Sequence, residues 1–188
     1  MHVALKCFWA LSSCAPLVVS LAFIAPSPAQ TANDTSSAAP IYGITIPPRY
    51  RDWGLISIGH LEGGQLKQLR AQLGNEIALK AFREGTLPYP DGSIIAALHW
   101  NEASSEDNDK VLASGFPGAR LQSSVAGTAV NVQFMVKDSK KYAATGGWGF
   151  ADFTNGKSGN EALHQTCFPC HLPAKDRDFV FAHYAPTP

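Results

Sequence analysis

The clearest alternation of apolar and polar positions lies in residues 126–139, where Val130, Val132, Phe134 and Val136 alternate with Asn131, Gln133 and Met135. A period of two predicts a strand with one face covered. The run WGLISIG from Trp53, short and bounded by glycines, predicts another strand, and a Pro90-Asp91-Gly92 turn leads into a third over Ser93–Trp100. GGWGFADFTNGK, residues 146–157, predicts a further strand that ends at an Asn155-Gly156 turn. In residues 65–86, Leu69, Ala71 and Leu73 alternate before Gly74-Asn75 interrupts. A strand to Leu73 and a helix over Glu76–Arg83 follow, with Asn75 as N-cap and Gly85 just past the end. A single amphipathic helix through Leu66, Leu69, Leu73 and Ile77 is the alternative there. NEASSEDND, residues 101–109, reads as an acidic loop, and Asn160 caps a last short helix that carries NEALHQTCFPC. About five strands, mainly antiparallel because their connections are short, with two or three short helices, make an α+β domain.

Composition adds little to this and excludes something. The 188 residues are 45% apolar and 16% charged, with 15 Lys plus Arg against 15 Asp plus Glu, so the chain is globular and carries no basic face for nucleic acid. The N-terminus changes the picture more. A lone Lys6, an uncharged apolar run to about Ile24 and the small residues of Ser27-Pro28-Ala29 have the layout of a secretory signal peptide cleaved near Ala29. A membrane anchor and a lipoprotein box at Leu11–Cys14 are the competing readings, and much of the apolar run lies beyond Cys14. The expected organisation is a signal peptide at 1–29, a flexible leader at 30–48 and one domain at 49–188, periplasmic or otherwise exported. Cleavage would remove Cys7 and Cys14 and leave only Cys167 and Cys170.

Those two form one local site, Cys167-Phe168-Pro169-Cys170-His171. Cys-x-x-Cys-His is the pattern of c-type haem attachment, in which two thiols bond neighbouring vinyl groups and the adjacent imidazole meets the iron. A redox dithiol would sit at a helix N-terminus, where the dipole lowers the thiol pKa, but here helix formers precede the pair. Zinc held by His164, Cys167, Cys170 and His171 would be cramped within eight residues. On the haem reading His171 binds iron through Nε2, with Nδ1–H donated to a carbonyl or water that fixes the ring. A second ligand would have to be Met135 or one of His60, His99 and His183, each more simply an ordinary core or surface residue, so an open iron face is expected.

The segments YRDW (50–53), LGNEIALKAFREG (73–85), YPDGSIIAALHW (89–100), VQFMVKDSKKYAATGGWGFADF (132–153) and HQTCFPCH (164–171) resemble, in order, the cytochrome P-460 family. That resemblance implies an exported, strand-rich, homodimeric cytochrome with one covalently attached haem c, thioethers at Cys167 and Cys170, and His171 as axial iron ligand. Some members of the family oxidise hydroxylamine with a lysine cross-linked to the porphyrin; the related cytochromes c′-beta lack the cross-link and bind nitric oxide. The implied partners are a small diatomic or nitrogenous ligand and a soluble electron carrier. The cross-linking lysine falls near Ala97, where this chain has none, and Lys80 belongs to the predicted helix. Asp91 is assigned to its turn, Asp152 to the outward face of its strand, and Trp53, Phe82, Phe134, Trp148 and Phe150 to the core.

Overall fold

The computed structural model describes residues 38–186; the expected signal peptide, its cleavage site near Ala29 and the first part of the leader lie outside the described residues. A single antiparallel sheet runs in sequence order, β1 (Gly54–Gly63), β2 (Leu66–Gly74), β3 (Ile94–Ser104), β4 (Ser124–Lys137), β5 (Trp148–Thr154) and β6 (Lys157–Ser158). With α1 (Glu76–Glu84), α2 (Glu106–Gly115) and α3 (Glu161–His171) it forms the expected α+β fold, with six strands in place of about five. The added strand, β6, is two residues long and returns from Asn155-Gly156, whose φ angles of 50° and 76° match the twist of a tight hairpin.

Capping explains why α1 and α3 begin where they do. Asn75 is extended and its side chain accepts from the Ala78 N–H at 3.0 Å; Asn160 does the same for Leu163 at 2.9 Å. Asn75 also accepts from the Ile94 N–H and donates to the Gly92 carbonyl, so one side chain joins the start of α1 to the start of β3. Gly85, left-handed at φ 65°, ends α1 as expected. The stretch read as an acidic loop is instead the end of β3, to Ser104, and the first turn of α2, which buries no residue and leaves Val111 exposed. Glu106, Asp107 and Asp109 in its first turn suit the positive end of the helix dipole, a source of stability that leaves no apolar stripe to read.

The sheet is covered on both sides around β3, β4 and β5. Registers Ile95↔Met135↔Phe150 and Ala97↔Gln133↔Asp152 set these six side chains on one face. Ala96, Phe134 and Ala151 alternate to the other face, where Phe134 meets Tyr50 and Phe153 edge-on at 5.1 and 6.0 Å. Ala39, Tyr42 and Ile44, within the stretch read from sequence as leader, are buried, and Tyr42 meets Phe150 of the first face edge-on at 5.6 Å. The Tyr142 hydroxyl donates to the Tyr42 carbonyl, which fastens that segment to the loop between β4 and β5. No helix among the described residues is long and apolar enough to cross a membrane.

Candidate functional site

The helix that carries the cysteine motif lies over the β3–β5 face and closes one wall of a cleft of about 210 Å³. Ile95, Ala97, Met135, Phe150 and Asp152 form the floor; Leu163, Thr166, Cys167, Cys170 and His171 line the α3 side. The motif thus sits at the C-terminal end of the last helix, as the sequence predicts. Pro169 lies inside that last turn and removes one helical donor, and the chain tightens into a 3-10 turn over Leu172–Arg177.

His171 is held on three sides. Its Nδ1–H donates to the Phe179 carbonyl at 2.7 Å, and its ring lies between Phe150 at 4.9 Å and Phe181 at 5.0 Å. The backbone bond fixes the tautomer with the lone pair on Nε2, which leaves that atom able to ligate a metal. Burial lowers its pKa below the ordinary imidazole value, with the Phe179 bond pulling the other way, so the neutral, ligating form is favoured. Cys167 is half-buried and Cys170 exposed. Burial, the Asp152 charge and Cys170 push the Cys167 thiol up to about 11, the opposite of what an activated redox thiol needs.

Side chains in this region close one alternative and correct one reading. His164, a candidate zinc ligand, is fully buried with both nitrogens engaged: Nδ1–H donates to the Asn160 carbonyl at 2.7 Å and Nε2 accepts from the Asp152 N–H at 3.1 Å. It ties α3 to β5 and has no lone pair to give. Among the described residues no group of three or more His, Cys, Asp and Glu side chains is arranged to hold a metal ion. Asp152, assigned to an outward face, is only 5% exposed and lines the cleft. Its Oδ2 accepts from Asn131 Nδ2 at 2.5 Å and Gln133 Nε2 at 2.9 Å, which is how a carboxylate is tolerated there. The alternation rule failed because all of Trp148–Phe153 is buried, so β5 has no outward face.

The remaining candidates fall away from the cleft or onto its wall. His60 pairs with Glu102 at 2.7 Å, and His183 contacts Arg177. His99 is buried against Asn131, with Nδ1 and Oδ1 2.6 Å apart. Met135, 9% exposed, does line the cleft, as does Phe150, whereas the Phe134 ring packs on the opposite face of the sheet, Phe82 and Trp148 are core and Trp53 packs against it. Ala97 lines the cleft and, among the described residues, no lysine does; Lys80 reaches Glu84 at 4.0 Å on the exposed side of α1, as expected of a solvated helix residue. Asp91 holds its turn by accepting from the Ser139 N–H and hydroxyl at 2.8 and 2.7 Å.

His99 gives a pH dependence that can be measured. Burial, and after it the Arg70 guanidinium, hold its pKa below the 6.5 of a free imidazole, while Asn131 and Asp152 oppose the shift. The unfolded chain therefore takes up the proton first as pH falls, and folding stability declines below about 6.5. In His99→Leu, the difference between urea midpoints of the matured protein at about pH 7.5 and about pH 5.5 is expected to shrink.

With the dithiol and zinc readings removed, what the fold and the motif define is a haem-binding cytochrome. The profile of the Cytochrome P460 family matches residues 47–182, most of the chain, and the protein belongs to that family. No curated protein matches the chain.

Proposed function

We propose that this is an exported, mono-haem c-type cytochrome in which Cys167 and Cys170 carry the thioether bonds and His171 Nε2 is the iron's protein ligand. The opposite side of the iron is open and takes a small nitrogen compound, nitric oxide or hydroxylamine. The observation that carries this reading is the His171–Phe179 hydrogen bond, which frees Nε2 on the cleft wall that also bears both thiols. The cleft fits the group: its floor is mostly apolar, and its donor set is two thiols and one neutral imidazole. When bound, haem supplies an electrophilic iron and one-electron chemistry.

The chain's own residues divide the remaining work. Phe150 and Phe181 keep the His171 ring from turning, and Ile95, Ala97 and Met135 give the cleft an apolar floor that disfavours charged ligands. Asp152 is the only carboxylate among the described residues that line the cleft; with Oδ2 engaged, Oδ1 is left to accept a hydrogen bond from a protic ligand. A soluble electron carrier and a second copy of the chain are the expected partners, and the apolar N-terminal run supports export.

Ala97 favours ligand binding over hydroxylamine oxidation, because the cleft position the resemblance gives to a cross-linking lysine carries only a methyl group. Mass spectrometry of tryptic haem peptides from the matured protein tests this. The expected product is one peptide bonded through Cys167 and Cys170, with slow or no hydroxylamine turnover. A lysine peptide attached to the same haem would defeat it. A second reading, an electron carrier with iron ligated on both faces, is favoured by Met135, which lines the same cleft as His171.

A further inference from the structure

The carbonyl that accepts from His171 belongs to an unusual piece of backbone. Asp178 and Phe179 both adopt left-handed φ angles, 50° and 65°, at consecutive positions. Residues with a Cβ are disfavoured in that conformation, so two in succession persist only where the surroundings fix them. The Asp178 and Phe179 N–H groups close the turn by donating to the Lys175 and Ala174 carbonyls at 3.0 and 2.9 Å, and Lys137, at the end of β4, pins it through the Asp178 side chain. Its Nζ donates to both Asp178 oxygens at 2.8 Å and to the Gly146 carbonyl at 3.1 Å. The two side chains are 5% and 9% exposed, and the ammonium lies 5.0 Å from the centre of the Trp148 ring. Asp178 Oδ2 also accepts from the Tyr89 N–H at 2.9 Å.

Phe179 is clamped from the other side as well. A Cβ on Gly146, itself left-handed at φ 67°, would stand 2.2 Å from the Phe179 ring, so the ring rests directly against that glycine. Lys137 thereby holds both neighbours of Phe179: Asp178 in the chain, and Gly146 across the space. The Phe179 carbonyl cannot swing away from His171 without disturbing a buried ion pair. Nothing in the sequence near the cysteine motif signals this, because Lys137 is 34 positions away from His171.

We propose that Lys137 and Asp178 are positioning residues for the axial histidine: their buried ion pair fixes the Asp178–Phe179 turn, and the turn sets how strongly His171 donates to iron. The proposal rests on the reading of His171 as iron ligand. A firm Nδ1–H···O=C bond gives the imidazole more anionic character, which strengthens the iron–histidine bond and favours the ferric state. Loosening the turn should weaken both effects with no change in the cleft lining.

The test uses the matured, haem-containing protein and two variants. Asp178→Asn removes the charge at nearly constant shape, and Lys137→Met with Asp178→Asn removes both charges and leaves neither unpaired, which keeps a folded protein in hand should the single variant fail to mature. The iron–histidine stretching band of the ferrous form is read by resonance Raman, with the reduction potential and the thermal midpoint measured alongside. The expected result is a shift of the band to lower frequency and a rise in potential in both variants. A lower thermal midpoint with band and potential unmoved would overturn the proposal, since that is all a merely structural ion pair would do. Absence of any histidine band in the unaltered protein would instead defeat the reading of His171 as ligand.

Discussion

Replacing Cys167 and Cys170 together with alanine is expected to abolish covalent retention of haem: no haem stain survives on a denaturing gel, against a full signal for the unaltered chain. These are the only cysteines among the described residues, and both line one cleft with His171. Each single variant keeps one thiol and so one possible bond. Retention in the double variant would show attachment through another side chain. The high Cys167 pKa adds a second expectation, since a half-buried thiol at about 11 is a poor nucleophile before attachment. The unattached chain should react slowly with alkylating reagents at Cys167 and faster at exposed Cys170.

The largest stability effect is expected at Lys137. Lys137→Met leaves the Asp178 carboxylate buried without its cation, and the cost is about 3–5 kcal/mol, read as a loss of denaturant midpoint at unchanged slope. Removing both charges should recover much of that loss, because the expense comes from the stranded charge more than from the missing attraction. An exposed pair gives the contrast. Arg49 and Asp52 meet at 3.0 Å with side chains 85% and 62% exposed, and Arg49→Ala should change stability by less than about 1 kcal/mol. Equal losses at the two sites would contradict the burial argument.

Local signals were the legible ones. Asn75 and Asn160 each announce a helix because capping is a contact between near neighbours, and the residues between Gly74 and Gly85 carry their own start and stop. The cysteine motif is legible for the same reason: spacing along one helix decides its geometry. α2 was hidden because its support is charge at a helix end, and β6 because two residues give no periodicity. Asp152 misled, because a carboxylate in an alternating strand suggests a surface, whereas its Oδ2 is satisfied by Asn131 and Gln133 on the neighbouring strand. The bond that ties α3 to the sheet, from the Asp152 N–H to His164 Nε2, left no local signal either. Lys137 and Asp178, 41 positions apart, show the limit most plainly. Their meeting depends on the path of the whole sheet.

Ala97 and Met135 occupy the same cleft floor and bear on opposite questions. The first speaks against a cross-linked, hydroxylamine-oxidising haem; the second is a methionine that lines the same cleft as His171. The central claim is an iron held by His171 with its other face open, and the optical spectrum of the reduced, matured protein before and after adding nitric oxide tests it most directly. A five-coordinate, high-spin spectrum that changes on adding nitric oxide is expected. A six-coordinate, low-spin spectrum unchanged by nitric oxide, and converted to high-spin by Met135→Ala, would contradict it.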